Sequence, residues 1–251
     1  MLRNKNRGMG RVRGMAIALS LSAVVLALET KPLHAQIGDR DDRGPEHHVW
    51  VSQDAEMLQA AEQNYYQATK LQEEGDLPGA IAAYREAIRL YPDFAEAQIN
   101  LGVALARLGE IEEAIAAYRE ALRINPELPT AHYNLGYALA QQQQLEEAIA
   151  AYETAIRFQP NYPPAYYNMG NALVNLRQLD RAITAYRNAI RLQPDFAEAH
   201  GNLGIILYQQ GQPEEAVNVL QTARELFARQ ENPEAVSRIE GVLIRLKTMR
   251  N

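Results

Sequence analysis

The sequence repeats itself every 34 residues, and this period limits the possible folds more than any other feature. Proline recurs at that interval after four apolar runs, at Pro92, Pro126, Pro160 and Pro194. A unit of this length cannot bury its own apolar face and is stabilised by stacking on the next unit. The chain is therefore expected to form a stack in which each unit contacts its neighbours.

Four positions keep one kind of residue when the units start at Ala61, Ala95, Pro129, Pro163 and Ala197. Position 8 is small, as Ala68, Gly102, Gly136, Gly170 and Gly204. Alanine stands at position 20, as Ala80, Ala114, Ala148, Ala182 and Ala216, and at position 27, as Ala87, Ala121, Ala155, Ala189 and Ala223. Position 24 is Tyr84, Tyr118, Tyr152, Tyr186 and finally Leu220. Chance does not produce agreement at four positions across five units.

Apolar residues follow helical spacing twice within each unit, so each unit is predicted to be two helices. A glycine between the two stretches, as at Gly109, suits the left-handed residue that ends a helix. Two units have Gln143 and Arg177 at this position instead, and we expect those two turns to be strained. The proline after the second stretch disfavours helix in the residue before it and ends the unit.

The small residues at positions 8, 20 and 27 predict that helices cross at short distance. Glycine inside a helix costs about 1 kcal/mol relative to alanine, so four glycines at one position need a packing reason. We expect the tyrosine of position 24 to fill the space beside them. Alanines that served helix propensity alone would be scattered around the helix instead of keeping one register.

This pattern resembles the tetratricopeptide repeat (TPR), a 34-residue unit with Leu-Gly, alanine, an aromatic residue, alanine and a closing proline at these offsets. The resemblance covers Ala61 to about Gln230 as five units. It implies an all-α fold, a right-handed α-solenoid of helix-turn-helix repeats whose first helices line the concave side. The end units depart from the pattern, since the first has Gln67-Ala68 for Leu-Gly and the fifth lacks the closing proline.

These boundaries predict the domain organisation. A signal peptide (1–35) and a disordered linker (36–52) precede a first repeat with an extended first helix (53–94). The remaining repeats are predicted at 95–128, 129–162, 163–196 and 197–230, followed by a C-terminal capping helix at 231–251.

The capping helix is predicted from Pro233, which suits a first helical turn, and from an apolar stripe. The stripe consists of Val236, Ile239, Leu243 and Leu246. It could instead form the seam of a homodimer, because an exposed stripe of that size needs a partner.

The N-terminus has the order of a secretory signal. Basic residues, Arg3 to Arg13, precede the uncharged stretch from Met15 to Leu28, and a small residue, Ala35, offers a cleavage site. A spanning helix needs about 20 apolar residues, so this stretch is short for a permanent anchor. We expect cleavage after Ala35 and export to a periplasmic, lumenal or extracellular compartment. An uncleaved anchor is the alternative, and it would be the chain's only link to a membrane.

Several kinds of chemistry are disfavoured by composition. The chain has no cysteine, which removes disulfides and thiol catalysis, and the adjacent His47 and His48 lack the spaced partners of a metal site. We predict no metal and no cofactor. Residues 1–35 hold six of the 25 Lys and Arg but one of the 31 Asp and Glu, so the remainder is more acidic than the net charge of −6 indicates. A nucleic-acid partner is therefore not expected.

A groove on the concave side is the candidate binding site. Positions 2, 5, 6, 9, 12 and 13 of the first helices are predicted to face it, because they are spaced three or four apart. Asparagine recurs at position 6 and tyrosine at position 5. The resemblance implies that asparagines repeated at one position of successive first helices bind the backbone of a peptide. The amides could equally serve contacts between helices. The candidate groove residues are Tyr65, Ile99, Asn100, Val103, Tyr133, Asn134, Tyr137, Tyr167, Asn168, Asn171, Asn202, Ile205 and Tyr208.

No catalytic motif is present: the sequence contains no nucleophile elbow, phosphate loop or dinucleotide fingerprint. His132 and His200 recur at position 4, where a packing role is expected. We therefore predict a non-catalytic adaptor that binds a partner protein or an extended peptide in the groove. The alternatives are an accessory subunit that recruits substrate to a separate enzyme, and a structural protein that self-assembles end to end.

Overall fold

The fold is all-α. A computed structural model describes residues 45–248, with side chains from residue 54 onward. These described residues form eleven helices and no strand. In chain order they are α1 (Pro45–Glu74), α2 (Leu77–Leu90), α3 (Ala95–Leu108), α4 (Ile111–Ile124), α5 (Pro129–Gln141), α6 (Leu145–Phe158), α7 (Pro163–Asn175), α8 (Leu179–Leu192), α9 (Ala197–Gln209), α10 (Pro213–Arg229) and α11 (Pro233–Thr248).

Consecutive helices pack as antiparallel pairs, and the pairs stack into a right-handed α-solenoid, as predicted. The turn within each pair passes through a left-handed residue at position 15. This residue is Gly109 in the second pair, with φ of 92°, but Gln143 and Arg177 in the next two, with φ of 62° and 60°. The predicted left-handed conformation is thus present at both turns, and a Cβ is unfavourable in this conformation.

The glycines of position 8 lie beneath the aromatic residue of position 24. A Cβ built on Gly102 would lie 2.5 Å from the ring of Tyr118, and one on Gly170 would lie 2.6 Å from the ring of Tyr186. In the last pair Leu220 replaces the tyrosine and lies 2.6 Å from a Cβ at Gly204. The predicted close crossing of helices is therefore confirmed at these glycines, since a Cβ on any of them would overlap the side chain of position 24.

The outer side of the stack carries ion pairs between successive second helices. Arg85 pairs with Glu113 at 2.7 Å and Arg187 with Glu215 at 2.7 Å. The pair between α6 and α8 has the charges exchanged, with Arg181 on the later helix and Glu153 on the earlier one, 2.9 Å apart. Such exposed pairs contribute at most about 1 kcal/mol each.

The C-terminal end of the stack is closed by α11. Its residues Ala235, Ile239, Leu243 and Leu246 are buried in one cluster with Leu220 and Phe227 of α10. The apolar stripe predicted from the sequence is thus covered within the chain, which supports the capping role. Gly201 stands at position 5 in this last pair, where a Cβ would be in ordinary van der Waals contact with Ile239 and Phe227.

The first helix begins earlier than the sequence predicted. It starts at Pro45, so residues 45–52, which were assigned to the disordered linker, are helical. Proline is well suited to a first helical turn, since its missing N–H would have no partner there. The predicted signal peptide and the remaining linker (36–44) lie outside the described residues, as do the side chains of His47 and His48. Among the described helices none is long and apolar enough to span a bilayer.

Candidate binding groove

The first helix of each pair lies on the inner side of the stack. Successive first helices contact one another, α3 with α5 and α5 with α7, whereas successive second helices do not approach to the same extent. Elements on the inside of a curve are closer together than those outside it. The surface of α1, α3, α5, α7 and α9 is therefore concave, and we call it the groove.

Each first helix presents one stripe of side chains to this groove, at positions 2, 6, 9 and 13. These positions are spaced four, three and four residues apart, so they share one helical face. On α3 they are Glu96, Asn100, Val103 and Arg107, of which the first three are half-buried and Arg107 is exposed. The groove is thus a set of parallel stripes, one from each repeat.

Three of the four position-6 amides are bonded within the solenoid. The Nδ2 of Asn100 donates to the Tyr65 hydroxyl at 2.8 Å, and that of Asn168 donates to the Tyr133 hydroxyl at 3.0 Å. Asn202 donates to the Tyr167 hydroxyl at 3.3 Å. Each bond joins position 6 of one repeat to position 5 of the repeat before it. These amides stabilise the contact between repeats, which is the alternative role considered for them.

The amide of Asn134 has no such partner. The preceding repeat has Ile99 at position 5, so the hydroxyl that would accept from Asn134 is missing. The side chain is only 7% exposed, and its Nδ2 has no hydrogen-bond partner. An unpaired buried donor of this kind costs about 1 to 3 kcal/mol. This joint between repeats two and three therefore differs chemically from the other three.

The tyrosines of position 5 lie in small aromatic clusters between repeats. The ring of Tyr133 is 5.0 Å from that of Tyr162, and the ring of Tyr167 is 4.8 Å from that of Phe196. Burial raises the pKa of Tyr133 to about 12. Its hydroxyl is therefore neutral at physiological pH and accepts the hydrogen bond from Asn168.

A second network surrounds Asn171 at position 9. Its Oδ1 accepts from the Tyr186 hydroxyl at 2.8 Å and from the Nδ2 of Asn202 at 2.9 Å. Asn171 is therefore already bonded on the side that faces the next repeat. Its carbonyl oxygen is less available for a ligand than the sequence alone indicated.

The thirteen candidate groove residues thus fall into two sets. The first set is buried between helices: Tyr65, Ile99, Asn134, Tyr167 and Asn168. The second set retains exposed surface: Asn100, Val103, Tyr133, Tyr137, Asn171, Asn202, Ile205 and Tyr208. Position 5 was predicted to face the groove, and this is wrong for Tyr65, Ile99 and Tyr167, which are buried. The two tyrosines lie in the ring clusters between repeats, and Ile99 is buried at the same position without a ring partner.

The candidate residues omitted the exposed Tyr66, although position 6 was predicted to face the groove, and the sequence analysis did not distinguish the second joint. Tyr66 stands on α1 at position 6, where the other repeats have asparagine, and is 63% exposed. Two positions of the second repeat distinguish this joint in the sequence. Where position 5 is Ile99 instead of tyrosine, position 34 is Leu128 instead of an aromatic residue.

The two histidines of position 4 have a packing role, as expected. The Nε2 of His132 lies 2.8 Å from the carbonyl oxygen of Pro126, and that of His200 lies 2.9 Å from that of Pro194. Each ring therefore binds the proline carbonyl that closes the preceding repeat. Within the described part of the chain no group of three or more His, Asp or Glu side chains is placed to hold a metal ion.

Family models agree with this architecture. A model described as "Tetratricopeptide repeat" matches residues 65–129 and 167–235, and two further TPR models match 136–177 and 117–150. The first model alone covers more than half of the chain. The chain is a tetratricopeptide repeat protein. The fold and the family together make it a protein-interaction module of the general TPR kind.

Solved structures of other TPR proteins have a similar fold. A crystal structure of MamA is 28% identical with a TM-score of 0.63, and the match covers 65% of this chain and 96% of that one. MamA from Desulfovibrio magneticus RS-1 (residues 41 to the end) is 25% identical with a TM-score of 0.65, covering 69% and 98%. YrrB, a TPR protein with an unusual peptide-binding site, is 24% identical with a TM-score of 0.60, covering 71% and 90%. No curated protein matches the chain by sequence.

Proposed function

We propose that this TPR protein is a non-catalytic adaptor that binds an extended segment of a partner protein in its groove, anchored at Asn134. The observation that carries the proposal is the unpaired Nδ2 of Asn134. A backbone carbonyl of the bound segment would supply the missing acceptor. The likeness to YrrB concerns the fold, so the site is argued from this chain's own side chains.

Of the position-6 asparagines, Asn134 loses the fewest internal hydrogen bonds when it binds a ligand. Asn100, Asn168 and Asn202 would each have to break a bond to a tyrosine hydroxyl. Asn134 would break none, because its Nδ2 has no partner within the described residues. The free energy lost by burying this donor unpaired would be recovered when a carbonyl accepts from it.

Tyr137 supplies apolar contact area beside this amide. It follows Asn134 by three residues on α5, so the two side chains share one helical face. Tyr137 is 39% exposed, which is high for a large ring in this stack. Tyrosine rings give contact area at small cost in side-chain entropy. An amide donor next to an exposed ring suits one residue of an extended peptide, with its carbonyl on Asn134 and its side chain on Tyr137.

The test compares two asparagines that differ only in their partners. The probe is a peptide selected on the purified protein from a displayed library of random sequences. Asn134→Ala is expected to weaken its binding by about 1 to 3 kcal/mol with little change in stability, since no bond within the solenoid is lost. Asn168→Ala is the matched control, because it should lower stability by leaving Tyr133 unpaired while affinity stays within about twofold. Equal affinity for Asn134→Ala and the parent protein would contradict the proposal.

A second variant separates binding from stability. Ile99→Tyr with Leu128→Phe installs at the second joint the hydroxyl and ring found at the other three. Asn134 would then donate to the new hydroxyl, and the free energy of unfolding should rise by about 1 kcal/mol. Peptide affinity should fall at the same time, because the anchor is occupied. A variant that is more stable and binds equally well would show that Asn134 is not the anchor.

End-to-end self-assembly is less favoured than partner binding by the two ends of the stack. Positions 3 and 10 of the internal first helices are buried and apolar, alanine in every case except Ile206. On α1 these positions are the exposed Gln63 and Lys70, and the opposite end is covered by α11. Among the residues whose side chains are described, α1 therefore lacks the apolar residues that internal first helices bury at these two positions.

Export remains part of the proposal. We expect the basic and apolar N-terminal segment to direct secretion and to be removed after Ala35, which leaves Gln36 as the first residue. N-terminal sequencing of the protein isolated from its own cells tests this. A chain that still begins at Met1 and sediments with membranes would favour the uncleaved anchor.

A further inference from the structure

The acidic side chains of the groove differ from those of the outer surface. On the second helices, Glu113 and Glu215 each pair with an arginine of the preceding repeat. At position 2 of the first helices, Glu62, Glu96 and Glu198 form no ion pair within the described part of the chain. All three retain exposed surface. The groove thus carries negative charge that the protein itself does not neutralise.

Two of these carboxylates lie near the exposed ring of Tyr66. Glu62 precedes Tyr66 by four residues on α1, so both stand on the same helical face. The ring of Tyr66 packs edge-on against that of Tyr65, with centroids 5.8 Å apart. The Nδ2 of Asn100 donates to the Tyr65 hydroxyl at 2.8 Å, and Glu96 precedes Asn100 by one helical turn, so Glu96 stands on the stripe that adjoins this pair of rings. Its charge adds to burial in raising the pKa of Tyr65. An exposed ring with one carboxylate on its own helix and another on the adjoining helix is suited to a cationic side chain.

This acidic surface adjoins the proposed anchor. Glu96 precedes Ile99 by three residues on α3, and Ile99 occupies the place of the tyrosine that Asn134 lacks. The exposed cation of this stripe, Arg107, stands at the other end of α3, about 16 Å from Glu96 along the helix axis. The unpaired amide and the unpaired carboxylates therefore belong to neighbouring stripes of one surface, and Arg107 does not compensate them.

We propose that the segment bound in the groove is basic, with a lysine or arginine side chain over Tyr66 between Glu62 and Glu96. This inference rests on the proposed function, because it assumes that the groove binds a peptide. A cation there gains attraction from the carboxylates and from the ring face. An acidic side chain at the same place would be repelled. The groove therefore selects partners by charge as well as by their backbone.

The test uses three synthetic peptides derived from the library-selected sequence, with every charged position changed to Lys, to Gln or to Glu. The Lys peptide is expected to bind about tenfold more tightly than the Gln peptide and more tightly still than the Glu peptide. This preference should shrink as salt is raised, because the charges are exposed. Glu62→Gln with Glu96→Gln should remove most of it, and Glu62→Lys with Glu96→Lys should reverse it. Glu225→Gln, an exposed acid on the outer helix α10, is the control and should leave the preference unchanged.

The outcomes separate this inference from the function on which it rests. Equal binding of the three peptides, or preference for the Glu peptide, overturns the inference while the adaptor function stands. A preference that survives Glu62→Gln with Glu96→Gln overturns the assignment to these carboxylates. Absence of binding by every peptide overturns both.

Discussion

At the scale of single residues, the solenoid depends on where side chains are absent. Glycine at position 8 lets the aromatic residue of position 24 lie directly against the helix backbone. A Cβ on Gly136 would lie 2.9 Å from the ring of Tyr152 and 3.0 Å from the backbone oxygen of Ala148. The backbone oxygen cannot move away as a flexible side chain can, so even one added methyl group is unfavourable.

Gly136→Ala is therefore expected to lower the free energy of unfolding by about 1 to 3 kcal/mol, although alanine is the better helix former. Gly241→Ala is the control, since Gly241 lies within α11 and a Cβ there has no neighbour within 4 Å. This change should raise stability by up to about 1 kcal/mol. Urea unfolding followed by circular dichroism measures both. Two variants of equal stability would contradict the packing role of position 8.

The left-handed turns allow the opposite experiment. Gln143 and Arg177 have a φ near 60° at the position where other repeats use glycine. Gln143→Gly and Arg177→Gly should each stabilise the protein by about 0.5 to 1 kcal/mol, because the steric cost of the Cβ is removed. The midpoint of thermal unfolding reports this. A lower midpoint for both variants would show that these turns hold no strain.

At the scale of helices, the sequence predicted where the helices lie better than it predicted which of their side chains face the groove. The period and the small residues were sufficient to predict two helices per repeat and their close crossing. The orientation of position 5 was not predictable from spacing, because it lies at the edge of the groove face and its tyrosines pack against rings from outside their own helix. Tyr167 illustrates this, since it contacts both Tyr186 of α8 and Phe196 before α9.

The capping helix gives a matched test at this scale. Ile239 of α11 is buried against α10, whereas Ile244 of the same helix is 63% exposed. Ile239→Ala should lower the free energy of unfolding by about 2 to 4 kcal/mol through lost burial and a new cavity. Ile244→Ala should change it by less than about 0.5 kcal/mol. The same loss in both variants would mean that α11 does not cover the end of the solenoid through this face.

At the scale of the whole molecule, tyrosines buried within and between the repeats make stability depend on alkaline pH. Burial raises the pKa of Tyr118, Tyr152 and Tyr186, as it does that of Tyr133. The folded protein thus holds these protons more tightly than the unfolded chain, in which tyrosine titrates near a pKa of about 10. The stabilisation is complete below that pH and is lost as pH rises toward 12 and beyond.

We therefore expect the urea midpoint to fall between about pH 10 and pH 12, with tyrosinate absorbance appearing together with the loss of helix. Parallel titrations by ultraviolet absorbance and circular dichroism measure this. Full ionisation of the tyrosines near pH 10 with helix content retained would show that these hydroxyls are not buried between the repeats.

Binding of an extended segment in the groove depends on Asn134, the position-6 asparagine whose Nδ2 has no partner within the described residues. A nuclear magnetic resonance titration can follow the side-chain amide signals of Asn100, Asn134, Asn168 and Asn202 while the selected peptide is added. We expect the Asn134 signals to shift strongly and to saturate with binding, while those of Asn168 stay nearly in place. An unmoved Asn134 in the saturated complex, or equal shifts for Asn134 and Asn168, would contradict this dependence.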